Sequence, residues 1–257
     1  MSSKVKFLSF NLVSQDATII TANTENAFFL TGNLKDPRTT KKFRTTGTSA
    51  AVVFDFISAE TINTVAIKGD KYLGFGFNGD LTIELNATDS WGSPAFSTTI
   101  TPNSTHNIGY VTFANQEYRF ARITCSGTSY VELSNIFIGE YVQMAENSID
   151  FGWTYINVDQ TTVSKNKEGQ KFFNEKPFVK RITANLNLLN QVEFTTISDM
   201  YNYHGNSVPI WFVIDEAESF SDTQERFIDQ YYFVNDLAFK NSSFSLWDTS
   251  FTLEEVI

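Results

Sequence analysis

Residues 118–125 read Tyr118-Arg119-Phe120-Ala121-Arg122-Ile123-Thr124-Cys125, and residues 130–141 read Tyr130-Val131-Glu132-Leu133-Ser134-Asn135-Ile136-Phe137-Ile138-Gly139-Glu140-Tyr141. Ser126-Gly127-Thr128-Ser129 lies between the two runs, and Gly139 closes the second. Aromatic and β-branched residues on either side of a small polar turn are the pattern of an antiparallel pair of strands. The pair is expected to close a small β-sandwich. It carries no chemistry of its own, so it points to architecture first.

Working outward from this pair, the first half is a succession of strands. Val52, Phe54 and Phe56 alternate with Val53, Asp55 and Ile57, and Val65 and Ile67 follow the turn-like Ser58-Ala59-Glu60. Leu81, Ile83 and Leu85 alternate with Thr82 and Glu84, one dry face and one wet one. Tyr110-Val111-Thr112-Phe113 leads to the closing pair. No helical period is visible here, which implies a jelly-roll or a related sandwich. At Gln143-Met144-Ala145-Glu146-Asn147-Ser148 the pattern breaks, dividing the chain into domains at 1–144 and 145–257.

The second half restarts with Phe151-Gly152-Trp153-Thr154-Tyr155, and Arg181 to Leu188 alternates over eight residues. One helix follows, predicted over about 190–204. Asn190 stands at its N-cap, Glu193 at the capping-box position and Gly205 at its stop, with Val192, Ile197, Met200, Tyr201 and His204 near one face. Val208-Pro209-Ile210-Trp211-Phe212-Val213-Ile214 then reads as a hydrophobic strand. The fold class is therefore mainly β: an N-terminal jelly-roll sandwich and a C-terminal β-sandwich with one α-helix.

Composition agrees and narrows the partners. Of 257 residues, 42% are hydrophobic, 19% charged and 15% aromatic, with 25 Phe, 10 Tyr and 4 Trp. This is a globular, β-leaning mixture. A net charge of −10 is a poor match to a phosphate backbone. Either it keeps the protein soluble, or it lines a surface that nucleic acid passes without sticking. The only concentrated positive patch is Lys35, Arg38, Lys41, Lys42 and Arg44, read as a solvated loop or a subunit contact. The opening residues lead into only a short apolar run, so no signal-peptide core is expected. No stretch approaches the length of a bilayer span, so membrane insertion is not expected.

The chemical motifs fail in turn. Gly74-Phe75-Gly76-Phe77-Asn78-Gly79 matches G-x-G-x-x-G, but the strand at Asp80–Leu85 follows where a dinucleotide site needs a helix. The glycines are read as a turn or loop. His106 and His204 are the only histidines and neither has a metal-ligand partner at the required spacing. His106 is read as solvated and His204 as a packed or capping imidazole. Cys125, the single cysteine, is read as a buried strand residue acting as a small hydrophobe. Glu216 with Glu218, and Glu254-Glu255, are carboxylate pairs that any acidic chain supplies. The sequons at Asn86, Asn103 and Asn241 would accept glycans only in a secretory pathway. No catalytic residue, cofactor or metal is assigned, and an enzyme is not expected.

The segment Asn33-Leu34-Lys35-Asp36-Pro37-Arg38-Thr39-Thr40-Lys41-Lys42-Phe43-Arg44-Thr45 resembles the early loop of galactose-binding-like (discoidin-type) sandwiches. The pattern continues through Val52–Phe56, Ile62–Ile67 and Arg122-Ile123 to Ile136-Phe137-Ile138-Gly139, covering roughly residues 5–142. Phe43 stands where a tryptophan is frequent, and the cysteines of many secreted members are absent. Sandwiches of this kind look like those in virion proteins of tailed bacteriophages, and the second half resembles tail-tube and distal-tail ring proteins in its order of elements. The resemblance implies a structural virion subunit, made in a host cytoplasm, that forms or decorates a ring in the tail or baseplate. Its partners would be further copies of itself and other virion proteins, with DNA passing through a lumen. The alternative is a carbohydrate-binding adhesin or receptor-binding module for a host glycan. Tyr72, Phe75, Phe77 and Trp91 are its candidate stacking residues, against the plain reading that most rings in so aromatic a chain are core.

Overall fold

The computed structural model describes residues 4–38, 40–69, 74–143, 153–215 and 228–256. In chain order the strands of the first half are Lys4–Leu8 (β1), Ile19–Ala22 (β2), Phe43–Arg44 (β3), Ser49–Lys68 (β4), Asn78–Asn86 (β5), Phe96–Ile100 (β6), Ile108–Ser126 (β7), Glu132–Leu133 (β8), Asn135–Gly139 (β9) and Tyr141–Gln143 (β10). Those of the second are Thr154–Val158 (β11), Thr162–Lys165 (β12), Lys171–Asn174 (β13), Val179–Leu189 (β14), Ile210–Asp215 (β15), Asp229–Phe233 (β16), Phe239–Ser243 (β17) and Leu246–Glu255 (β18). Helix α1 spans Gln191–His204. The protein is mainly β, with antiparallel sheets, as the sequence implies.

The first sheet runs β2-β4-β7-β5-β6, with β9 also on β4. The opening pair of the sequence is not a hairpin. Tyr118–Cys125 belongs to β7 and Asn135–Gly139 is β9, and β4 lies between them, its residues Thr64–Lys68 pairing with both. The chain reaches β9 by crossing the end of the sandwich, where Thr45 and Val131 exchange hydrogen bonds. Ser58-Ala59-Glu60 is likewise no turn. β4 runs through it with a register shift between Asp55 and Glu60, and Ile57 takes φ +71° there. Asp55 holds this bulge by accepting from Ile57 N at 2.8 Å and from Arg119 Nε at 2.7 Å.

The second sheet runs β10-β1-β15-β16-β18-β14-β11, with β17 on β18. The division expected at 144/145 falls outside the described residues, and this sheet draws on both sides of it. β1, from the start of the chain, sits between β10 and β15. Two continuous apolar runs then have a simple cause. Ile136 and Ile138 of β9 point into the first core, while Phe137 points the other way. Ile210, Phe212 and Ile214 of β15 fill the second core, while Trp211 and Val213 turn back towards Phe137, Ala66 and Leu8. A strand buried on both faces has no wet positions to alternate with. The two halves are joined by this shared apolar layer.

Helix α1 starts as its sequence dictates. Asn190 Oδ1 accepts from Val192 N at 2.9 Å and Glu193 N at 3.0 Å, and Glu193 Oε2 accepts from Asn190 N at 3.1 Å. Such a cap stabilises the helix by about 1 kcal/mol. Gly205, at φ +50°, ends it. The buried face is Glu193, Ile197, Met200 and His204, whereas Val192 is 75% exposed, a position the apolar pattern had assigned inward.

Candidate functional site

The glycine-rich loop ahead of β5 is a loop because its backbone requires it. Gly74 and Gly79 take φ +72° and +69°, and Gly76 forms a bridge with Glu132. A Cβ on Gly76 would stand 2.3 Å from that of Glu132, so no larger residue fits without displacing the bridge. The clamp fixes Phe75 and Phe77, whose ring centroids are 5.1 Å apart. Phe77 is rooted in the first core and Phe75 is half-buried.

Facing them is the turn between β6 and β7. Asn103 Oδ1 accepts from Thr105 N at 2.8 Å, and Gly69 N donates to Asn107 O at 2.8 Å, tying the turn to the end of β4. Between the two loops lies an open cleft of about 370 Å³ lined by Phe75, Phe77, Asp80, Pro102, Ser104 and Asn107. An aromatic wall with a carboxylate, a hydroxyl and an amide at its rim can take a small polyol, ring against C–H face and polar groups against hydroxyls.

Of the four candidate stacking residues, Phe75 and Phe77 meet here. Trp91 does not: it lies on the β5–β6 connection, at the other end of β5, roughly 25 Å away at the strand rise per residue. There its Nε1 donates to Asp89 at 2.6 Å, and Arg122, paired with Glu84 at 2.6 Å, lies 4.7 Å from its ring centroid. Tyr72 lies outside the described residues, as do Glu216 and Glu218.

The other sequence features find their places. Arg44 is held between the rings of Phe29 and Tyr130, 4.2 and 4.5 Å from their centroids, and donates to Glu132 at 2.8 Å. Lys35 Nζ donates to Gln15 O at 2.9 Å and Asp16 O at 3.0 Å. Arg38 bonds Asp36 at 2.8 Å, and that hydrogen bond holds the Asp36 carboxyl below its ordinary range. The positive patch is therefore largely engaged within the fold. Cys125 packs on the first core, and burial pushes its thiol up to about 12.

His204 is packed, as its helix position suggests: Nε2 meets Ser9 Oγ at 2.9 Å and Nδ1 meets Val208 O at 3.2 Å. Burial keeps it below the ordinary imidazole range. Serine and histidine here are 3% and 2% exposed, and the pair ties the end of β1 to the last turn of α1. Beside it is a cavity of about 290 Å³ lined by Asp36, Asn135, His204, Trp211 and Gln230. Sequence reasoning missed it because its walls come from five distant segments. It also missed a buried charge cluster, in which Lys68 of β4 and Lys180 of β14 face Asp229 and Glu255. Among the described residues no group of three or more His, Cys, Asp or Glu is placed to hold a metal ion, and no helix is long and apolar enough to cross a membrane.

No protein-family model matches the chain, and no curated protein does. Among solved structures it is similar to a Ruminococcus gnavus GH29 fucosidase in complex with fucose, at 13% identity and TM-score 0.44, over 53% of this chain and 28% of that one. It is also similar to the family 32 carbohydrate-binding module of C. perfringens NanJ in complex with galactose, at 12% identity and TM-score 0.42, over 54% of this chain and 99% of the module. A third is a Streptococcus pneumoniae fucose-binding module, at 10% identity and TM-score 0.44, over 52% and 99%. Likeness at this level does not assign the chain to a family.

Proposed function

We propose that the chain is a non-catalytic saccharide-binding protein whose site is the cleft between residues 74–80 and 101–107. The observation that carries this is the convergence of Phe75 and Phe77 with Asp80, Ser104 and Asn107 around one open cleft of about 370 Å³. Phe75 stacks on the sugar face, Phe77 backs it from the core, and the polar rim orients the hydroxyls. The test is a glycan array followed by calorimetry on the best ligand. Phe75→Ala should weaken binding at least tenfold, or about 1.4 kcal/mol, in protein that circular dichroism shows to be folded. Absence of any glycan ligand, or full affinity in Phe75→Ala, would refute the reading.

A second reading, a structural subunit of a tailed-phage tail or baseplate, rests on the order of elements in the sequence and draws on the joint between the halves. β1 is built into the sheet of the second half, and Leu8, Ala66, Phe137, Trp211 and Val213 form one layer between the halves. The sandwich is thus a fixed part of the body and not a module on a tether, which suits a component of a rigid particle. Proteomics of purified virions tests it, and absence of the chain from them would exclude it.

A further inference from the structure

Strands β12 and β13 form a two-stranded ribbon with no further strand beside it among the described residues. All eight strand residues are exposed, on both faces. Such ribbons are marginal in water unless something covers them. This one nevertheless carries apolar side chains: Val163 is 51% exposed and lies directly across from Phe173, 61% exposed, while Phe172, 51% exposed, points to the opposite face. At its root, on the edge strand β11, Ile156 is 50% exposed. Exposed aromatics on both faces of an isolated ribbon mark an interaction surface.

Hydrogen bonds at its tip set the ribbon's turn. Asn166 Oδ1 accepts from Gln170 N at 2.8 Å and Glu168 N at 3.1 Å, and Gly169 takes the φ of +84° that closes the tip. Its charge identifies the occupant. Residues 161–178 carry Lys165, Lys167, Lys171 and Lys176 against Glu168 and Glu175, a net of +2 inside a chain of net −10, which leaves −12 on the remainder. A basic apolar arm on an acidic body is complementary to another copy of that body.

We propose that residues 161–176 are an assembly arm that docks on the acidic body of a second copy of this chain. Arm on body is a head-to-tail contact between unlike surfaces, which closes into a ring or runs on as a filament. The inference deepens the structural-subunit reading and is independent of the saccharide cleft. Sedimentation velocity on the full chain tests it, at concentrations up to about 100 µM and at about 50 and 500 mM salt. The wild type should associate, and more weakly at the higher salt. Replacing Val163, Phe172 and Phe173 by Ser should raise the dissociation constant at least tenfold. A second variant, with Lys165, Lys167, Lys171 and Lys176 changed to Glu, takes the arm from +2 to −6 and should do the same while reversing the salt dependence. Both leave the two cores untouched, so melting temperature and glycan binding should hold. A wild type that is monomeric throughout, or variants that associate as tightly as wild type, would overturn the arm. Virion proteomics reports separately on the structural-subunit reading.

Discussion

Lys68→Met is the most informative single perturbation of this fold. Lys68 ends β4 in the first sheet, yet its ammonium contacts Asp229, donates to Val256 O at 3.1 Å and lies 3.8 Å from Glu255, all in the second. Lys180 completes the cluster at 2.8 Å from Asp229 and 3.6 Å from Glu255. The Asp229 and Glu255 side chains are 2% and 3% exposed, so removing one ammonium strands buried negative charge. Loss of one partner from a buried pair costs about 3–5 kcal/mol. A separate route gives a similar size. Burial pushes the Asp229 carboxyl up, but Lys68 and then Lys180 outweigh it and bring it down from 3.8 to about 2. At neutral pH a difference of that order is worth about 2 kcal/mol. The folded value is the lower one, so this contribution is present above about pH 4 and is lost as pH falls through 2. Urea unfolding followed by tryptophan fluorescence should show Lys68→Met destabilised by about 3 kcal/mol at pH 7, or a melting temperature lower by about 10 °C. The gap from wild type should narrow towards pH 3, where Asp229 of the variant takes up a proton. Asp229→Asn in the Lys68→Met background should recover part of the loss. A loss under about 1 kcal/mol at pH 7, or one that does not change with pH, would refute the electrostatic account.

Two further outcomes follow from the first sandwich. Gly76→Ala places a methyl 2.3 Å from Glu132 Cβ and should cost about 1–3 kcal/mol in chemical denaturation, whereas Gly47→Ala, which meets nothing within 4 Å, should be near neutral. Cys125, its thiol pushed up by burial to about 12, should react with a disulfide reagent at pH 8 about a thousandfold more slowly than in urea; equal rates would contradict the burial.

What the sequence shows clearly is local. The Asn190–Glu193 capping box and Gly205 stop define α1 because each contact spans three or four residues. The alternation at 181–186 and 81–85 marks strands because apolar side chains line one face of each, although the expected wet face of 81–85 is covered, Glu84 being buried against Arg122, and Leu188 turns outward at a register shift. Partner choice is different. The runs at 118–125 and 135–139 look like a hairpin, and only the long β4 between them reveals that each pairs with it instead. Nothing in either run encodes that, since a strand's apolar pattern fixes its face and not its neighbour. Ile136–Ile138 and Ile210–Ile214 carry a further signal: unbroken apolar runs mean two buried faces, and hence a second layer for each to meet. Read together they predict that β9 and β15 pack back to back, as Phe137 and Trp211 do. The charge cluster follows from the same junction. Lys68 can be buried because Asp229 and Glu255 arrive from the other sheet, a pairing over more than 150 residues that no local pattern anticipates. The cleft lies between these extremes: its glycines and phenylalanines stand out in the sequence, but Ser104 and Asn107 join them only because β5 and β6 bring the two loops to the same end of the sandwich. The exposed phenylalanines of β12–β13 sit at the far limit, since in sequence they cannot be told from core rings, and their exposure shows only in a ribbon whose eight strand residues pack on no other element among the described residues.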